Sequence, residues 1–182
     1  ILISNDAGTG TLSSASNNAG FGYEVFDDLT SGDQNTGVGA VALTKLTTGS
    51  NNTAVGTAAL TTLTTGNENT AVGDNALGSA TTSTANTALG LHALLSTTTG
   101  DRSVALGWKA MSVNVDGDRG TAVGYAALQN QEPSSASDTY NTAIGYAAGN
   151  AISTGVQNTI IGGSAGDGLT DADFNVAIGV SA

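Results

Sequence analysis

Along this chain the apolar positions recur at a fixed interval, in a short unit where an apolar residue is followed by glycine. Ten such pentapeptides, NAGFG, NTGVG, NTAVG twice, NTALG, SVALG, GTAVG, NTAIG, NTIIG and NVAIG, close at Gly22, Gly39, Gly56, Gly73, Gly90, Gly107, Gly124, Gly145, Gly162 and Gly179. Each step is 17 residues except the one from Gly124 to Gly145, which is 21. Within a unit, Thr and the Val, Leu or Ile two places on share one face of an extended segment, and the Ala between them faces the other way. Each pentapeptide therefore predicts a short β-strand. After the glycine an apolar pair recurs, as at Ala42-Leu43, Ala59-Leu60, Ala76-Leu77, Ala93-Leu94 and Ala110-Met111, often with another apolar residue three places on, as at Leu46 and Leu63. That spacing fits a single helical turn or a second, bent strand. Thr-Thr-Gly then closes the unit at Gly49, Gly66 and Gly100, where glycine permits the positive φ of a tight corner.

A repeat of this period predicts an all-β fold, a parallel β-solenoid of about ten coils. A lone coil buries too little apolar surface to offset the ordering of its backbone, so coils must stack, neighbour on neighbour. At about 4.8 Å per coil the stack is a rod some 50 Å long. Residues 18–182 form the repeats in this reading, 129–140 an insertion, and 1–17 an N-terminal strand, cap or inter-subunit segment. The Val of each strand and the Leu after the corner are expected to build the core. The two columns of Ala are expected to mark a close approach along the rod, either to copies of the chain or within a narrow interior; the first alternative makes the protein a homo-oligomer.

Composition narrows the function classes. Aromatic and charged residues are scarce, at 4% and 10%, so a thick globular core is excluded, while a single proline, Pro133, argues against ordinary disorder. The formal net charge of -11, with four Lys and Arg in all, excludes a nucleic-acid partner, because that affinity rests on neutralising phosphates. Cysteine is absent, which removes disulfides and thiolate metal sites. No stretch is long and apolar enough to insert in a membrane. The absence of cysteine fits an exported or virion protein stabilised by other means, and also many cytosolic ones. The apolar "ILIS" at the start and "NVAIGVSA" at the end lack the polar caps that terminal coils need. The expectation is that the chain continues beyond these ends or stacks end to end on another protomer, and both give a fibre.

The units "NTAVG", "NTAIG" and "NVAIG" resemble the head repeats of YadA-type trimeric autotransporter adhesins, and equally the 17-residue repeats of bacteriophage tail fibres. The resemblance covers roughly residues 18–179. It implies a left-handed β-roll, homotrimeric assembly, an extracellular, cell-surface or virion setting, and a cell-surface glycan or protein as partner. Each turn is about three residues longer than in the adhesin repeats, and no heptad stalk or anchor is present, so no autotransporter mechanism carries over.

Candidate sites are few. The Asn that opens most units, including Asn52, Asn69, Asn86, Asn141 and Asn158, predicts an internal amide ladder beside the corner glycines Gly56, Gly73 and Gly90. Asp116 and Asp118, with Asp167, Asp171 and Asp173, place oxygen ligands in Gly-containing loops, which is Ca²⁺ chemistry, or else form solvated corners; Asp33 and Asp101 fall at the same coil position as Asp118 and Asp173. No other cofactor is implied. His92 lacks a partner in sequence and reads as a turn residue, and no nucleophile motif occurs. The insertion, carrying Glu132, Pro133, Asp138 and Tyr140, is expected to leave the stack as a surface loop, either a receptor contact or a neutral bulge. Together these features predict a non-enzymatic shaft or receptor-binding region of a tail fibre or adhesive filament. The alternatives are a monomeric Ca²⁺- or ice-binding module, the latter from its Thr column, or a polysaccharide-degrading tailspike, which needs two carboxylates held in a groove.

Overall fold

The computed structural model describes residues 2–3, 14–133 and 137–182, the first two by their backbone. Thirteen short strands are described: β1 (Leu2–Ile3), β2 (Ala19–Phe21), β3 (Thr36–Val38), β4 (Thr53–Val55), β5 (Thr70–Val72), β6 (Thr87–Leu89), β7 (Val104–Leu106), β8 (Gly117–Asp118), β9 (Thr121–Val123), β10 (Ser137–Asp138), β11 (Thr142–Ile144), β12 (Thr159–Ile161) and β13 (Val176–Ile178). All but β8 and β10 form one parallel sheet in chain order, the order that a chain winding into successive coils must give. The ten corner glycines bound about nine turns of a parallel β-solenoid. Register follows the repeat, so like residues stack: Thr53 on Thr70, Ala54 on Ala71, Val55 on Val72.

No helix occurs among the described residues. The apolar pairs at i, i+3 are turns in which Leu46 N donates to Leu43 O at 3.2 Å and Leu63 N to Leu60 O at 3.2 Å. A helix cannot continue there because alternate corner residues take the left-handed conformation, with φ 54° at Val41 and 53° at Leu43. The required positive φ also sits elsewhere than expected. It falls on the strand-closing glycines, at 137° in Gly56 and 136° in Gly73, and not on Gly49, Gly66 or Gly100.

The strands share faces as the alternation predicts, but inside and outside are exchanged. The middle residue is interior: Ala54, Ala71, Ala88, Ala105, Ala122, Ala143 and Ile160 are fully buried, together with corner residues such as Ala59, Leu60 and Leu63. Val, Leu and Ile at the third strand position face outward, with Val38 38%, Leu89 43% and Ile144 41% exposed. Both Ala columns therefore line a narrow interior and do not mark contact between copies. The physical reason is volume. A β carbon at strand residue Gly37 would stand 2.7 Å from Val25 Cγ1, and where Ile160 replaces the strand Ala, the corner Leu is replaced by Gly166, whose β carbon would stand 3.0 Å from Ile160 Cδ1. Strand and corner share one space, which the corner Leu fills in most coils; where Gly149 takes the corner beside Ala143, Leu128 and Ile152 close in on it, within 3.1 Å of where its β carbon would stand.

Nor is the insertion wholly a loop outside the stack. Its β10 pairs in parallel with β8, Ser137 against Gly117 and Asp138 against Asp118, so the extra residues build a second two-stranded ladder. Gln131, Pro133 and Thr139 are buried. Residues 134–136 of the insertion, and 4–13 of the N-terminal segment, lie outside the described residues. Within that segment, Leu2 and Ile3 pair with Gly20 and Phe21 on β2.

Candidate functional site

Because the coil repeats, each chemistry-bearing side chain belongs to a column running along the rod. The first column is the interior Asn. Asn52 donates through its backbone N–H (2.9 Å) and Nδ2 (3.1 Å) to Asn35 Oδ1, and through Nδ2 to Gly66 O (2.9 Å). Asn69 repeats the pattern onto Asn52 and Ser83 O, Asn86 onto Asn69 and Gly100 O, and Asn158 onto Asn141 and Ala172 O. Every amide polar atom in these buried positions is used, as burial requires.

Two coils break this ladder, with Ser103 and Gly120 in the Asn position, and neighbouring amides take over. Asn114 Nδ2 donates to Gly117 O at 2.9 Å, the carbonyl an Asn at 103 would have served, and Gln131 Oε1 accepts from Asn141 Nδ2 at 3.0 Å in place of the missing amide at 120. Asn114 and Gln131 stand where other coils carry Leu46 and Leu63, and both are fully buried. Their remaining atoms, Asn114 Oδ1 and Gln131 Nε2, have no hydrogen-bond partner among the described residues.

A second polar column runs two residues before the Asn. Asp33 Oδ1 accepts from Ser16 N (2.7 Å), Ser50 Oγ from Asp33 N (3.0 Å), Asn67 Oδ1 from Ser50 N (2.8 Å), Asp101 Oδ1 from Thr84 N (2.6 Å), Asp118 Oδ1 from Asp101 N (2.6 Å) and Asp173 Oδ1 from Val156 N (2.8 Å). These side chains close corner N–H groups that no strand pairs. The acidic residues at this position thus serve the same end as the Ser and Asn between them. Asp116 accepts instead from the hydroxyls of Thr98 (2.9 Å) and Thr99 (2.6 Å), Asp171 accepts from the Thr170 hydroxyl at 3.2 Å, and Asp167 is exposed. Among the described residues no three acidic, His or Cys side chains converge to hold a metal ion, so Asp116 and Asp118 do not join Asp167, Asp171 and Asp173 in one site. His92 is a half-buried corner residue with φ 60°.

The insertion gathers a small polar cluster. Arg119 forms an ion pair with Asp138 and lies 5.8 Å from the centre of the Tyr140 ring, whose hydroxyl donates to Asp138 Oδ2 at 3.0 Å. Asp138 and Tyr140 are exposed and open to a partner, whereas Pro133 is buried. Glu132 is half-buried, with Oε2 unpartnered among the described residues; burial first, and the charge of Asp116 second, push its carboxyl above the usual range.

Two columns face solvent. On the sheet, Thr36, Thr53, Thr70 and Thr87 stack beside Val38, Val55, Val72 and Leu89, and no position of these two columns carries a charge from β2 to β13. The column just past the corner glycine becomes aromatic over three coils. Trp108 meets Tyr125 edge-on, with ring centres 5.2 Å apart, and Tyr125 stacks on Tyr146 at 4.9 Å with the planes 7° apart. Lys109 Nζ lies 5.5 Å from the centre of the Trp108 ring. The outward position of the Val column, which sequence reasoning placed in the core, and this aromatic run were both missed; spacing alone, Trp108 to Tyr125 at one period, was the signal for the second. Comparison with protein-family models, with curated proteins and with solved structures gives no match.

Proposed function

We propose that the protein is a non-enzymatic structural rod, the shaft or receptor-binding region of a phage tail fibre or of an extracellular adhesive filament, working at a cell or virion surface. In this reading the rod is wound left-handed and assembles as a homotrimer, as the repeat's resemblance implies. The observation that carries it is the uncharged outer sheet face. That face covers about 500 Å², taking ten strands of three residues at strand spacing, and its Val, Leu and Ile column is an apolar strip running the length of the sheet, the kind of exposed surface that marks an interaction site. A copy of the same chain is the partner that suits it best. Around an axis parallel to the rod, each level meets its own equivalent at the same height, so the columns match over their whole length, whereas a different protein would need the same spacing.

Sedimentation mass with negative-stain imaging tests the reading. Rods with the mass of three chains are expected, and a chain that stays monomeric and compact at micromolar concentration overturns it. The Thr column favours one second reading, a monomeric ice-binding module, because its hydroxyls form a rigid outward row. That reading requires thermal hysteresis from the monomer.

A further inference from the structure

The aromatic column is not explained by assembly. Its position past the corner glycine holds Asp74 two coils before Trp108, and that carboxylate is exposed. A contact between copies along this column would desolvate Asp74 beside its own equivalents, which is strongly unfavourable. Copies therefore do not meet along the whole of this column, and its aromatic part is a local feature. Trp108 is 46% and Tyr146 64% exposed, a costly display unless used.

The column is also rigid. Trp108 O accepts from Ala126 N at 2.9 Å, Tyr125 O from Ala147 N at 2.8 Å and Tyr146 O from Ser164 N at 2.8 Å, so each ring stands on backbone fixed to the next coil. The next position in the column is Gly163, where an added β carbon would meet nothing within 4 Å, and one coil further stands Val180, 83% exposed. Between Tyr146 and Val180 there is thus an open slot two coil steps high, about 9.6 Å. A flat ring placed midway would lie at the distance from Tyr146 that already separates Tyr125 from Tyr146, 4.9 Å.

We infer that the slot over Gly163, between the free face of Tyr146 and Val180, binds a pyranose ring of a glycan, with Tyr125 stacked behind Tyr146 to hold that face in place. The strip is one side chain wide and a few coils long, a shape that matches a linear oligosaccharide rather than the broad patch of a protein contact. A pyranose presents a face of C–H groups whose slight positive charge suits the negative face of an aromatic ring. Preformed rings on fixed backbone lose little entropy on binding. Lys109, at the far end of the strip, supplies a cation for an acidic sugar in a chain whose net charge is -11. The inference rests on the adhesive reading above only in assigning the rod a surface to meet.

Saturation-transfer NMR with tetrasaccharides of glucose, mannose and galacturonic acid tests it, with sedimentation mass recorded on every sample. Transfer to ring protons of at least one tetrasaccharide is expected, and affinity falls about tenfold or more in Gly163→Leu, which fills the slot without strain, and in Tyr146→Ala. Lys109→Gln weakens the acidic sugar alone. No transfer from any of the three, or variants that bind like the parent, overturns the site. Loss of assembly mass in Tyr146→Ala also overturns it, by placing the column between copies. A parent that binds sugar yet sediments as a monomer would instead sink the fibre reading and leave the site standing.

Discussion

Gly73 shows how much of this fold hangs on single positions. Its φ is 136°, and a β carbon there would stand 2.5 Å from Gly90 O in the next coil. Strain and clash add, and no other residue type occurs in this column. Gly73→Ala is expected to cost about 3 kcal/mol. Gly100 makes the contrast: its φ is ordinary, its β carbon would lie 2.8 Å from Gly117 O, and Ser83 already occupies the same column one coil earlier. Gly100→Ala should cost about 1 kcal/mol. Urea midpoints measure both, and equal losses would count against the argument. Glu132 carries the pH dependence. Its carboxyl is raised in the folded state above 4.5, so the fold holds that proton more tightly than the unfolded chain does. The stability it contributes is complete below the unfolded pKa and is lost as pH rises through the folded one. Glu132→Gln should therefore flatten the stability profile from acid to neutral pH and raise the melting point at pH 7; a parent that gains on the variant as pH rises would reverse the sign.

At the scale of the coil, the polar ladder acts as a unit. Asn114 replaces a donor that Ser103 lacks, so the two sites are expected to couple. Asn114→Leu restores the apolar residue of other coils but orphans Gly117 O, at a cost of about 1 to 3 kcal/mol. Adding Ser103→Asn supplies the amide that in Asn86 reaches Gly100 O at 2.8 Å, and the double variant should recover most of the loss. A double-mutant cycle reads the coupling, and additive losses would separate the two sites. The same scale shows what the sequence could reveal. The ten repeat strands were legible, because each ends at a glycine that only glycine can occupy; β8 and β10, which carry no such mark, were not. The sidedness was not, since a period of two says which residues share a face but not which face is inside. Ile160 in the strand goes with Gly166 at the corner, but Gly149 takes the corner of a unit whose strand residue is Ala143, so the shared interior volume was not legible as a simple exchange within one unit. The corners were hidden for another reason. Left-handed φ falls on Val41, Leu43, Ala58 and Leu60, residue types that avoid it, and only stacking against the next coil holds them there.

For the whole molecule, the exchange of inside and outside moves the case for assembly from Ala to Val. Ala in the interior accepts no larger residue without loss of fold, so it cannot report on assembly separately. An outward apolar column separates the two properties, because the interior is complete without it. Leu89 and Leu106, 43% and 38% exposed in the middle of the sheet, are the positions to use. Leu89→Lys with Leu106→Lys should leave strand content unchanged and cost the isolated coil stack no more than about 1 kcal/mol, from two lysines paired in the ladder, while reducing a multimer to single chains in sedimentation. Ala88→Lys, at a fully buried site one residue away, should unfold the stack instead. Salt supplies an independent check on the parent. Copies that each carry a net charge of -11 repel one another, and screening weakens that repulsion without touching apolar contact, so association should strengthen as ionic strength rises. Assembly held by ion pairs would respond in the opposite direction, and assembly indifferent to lysines on the sheet would place the contact on another face of the rod.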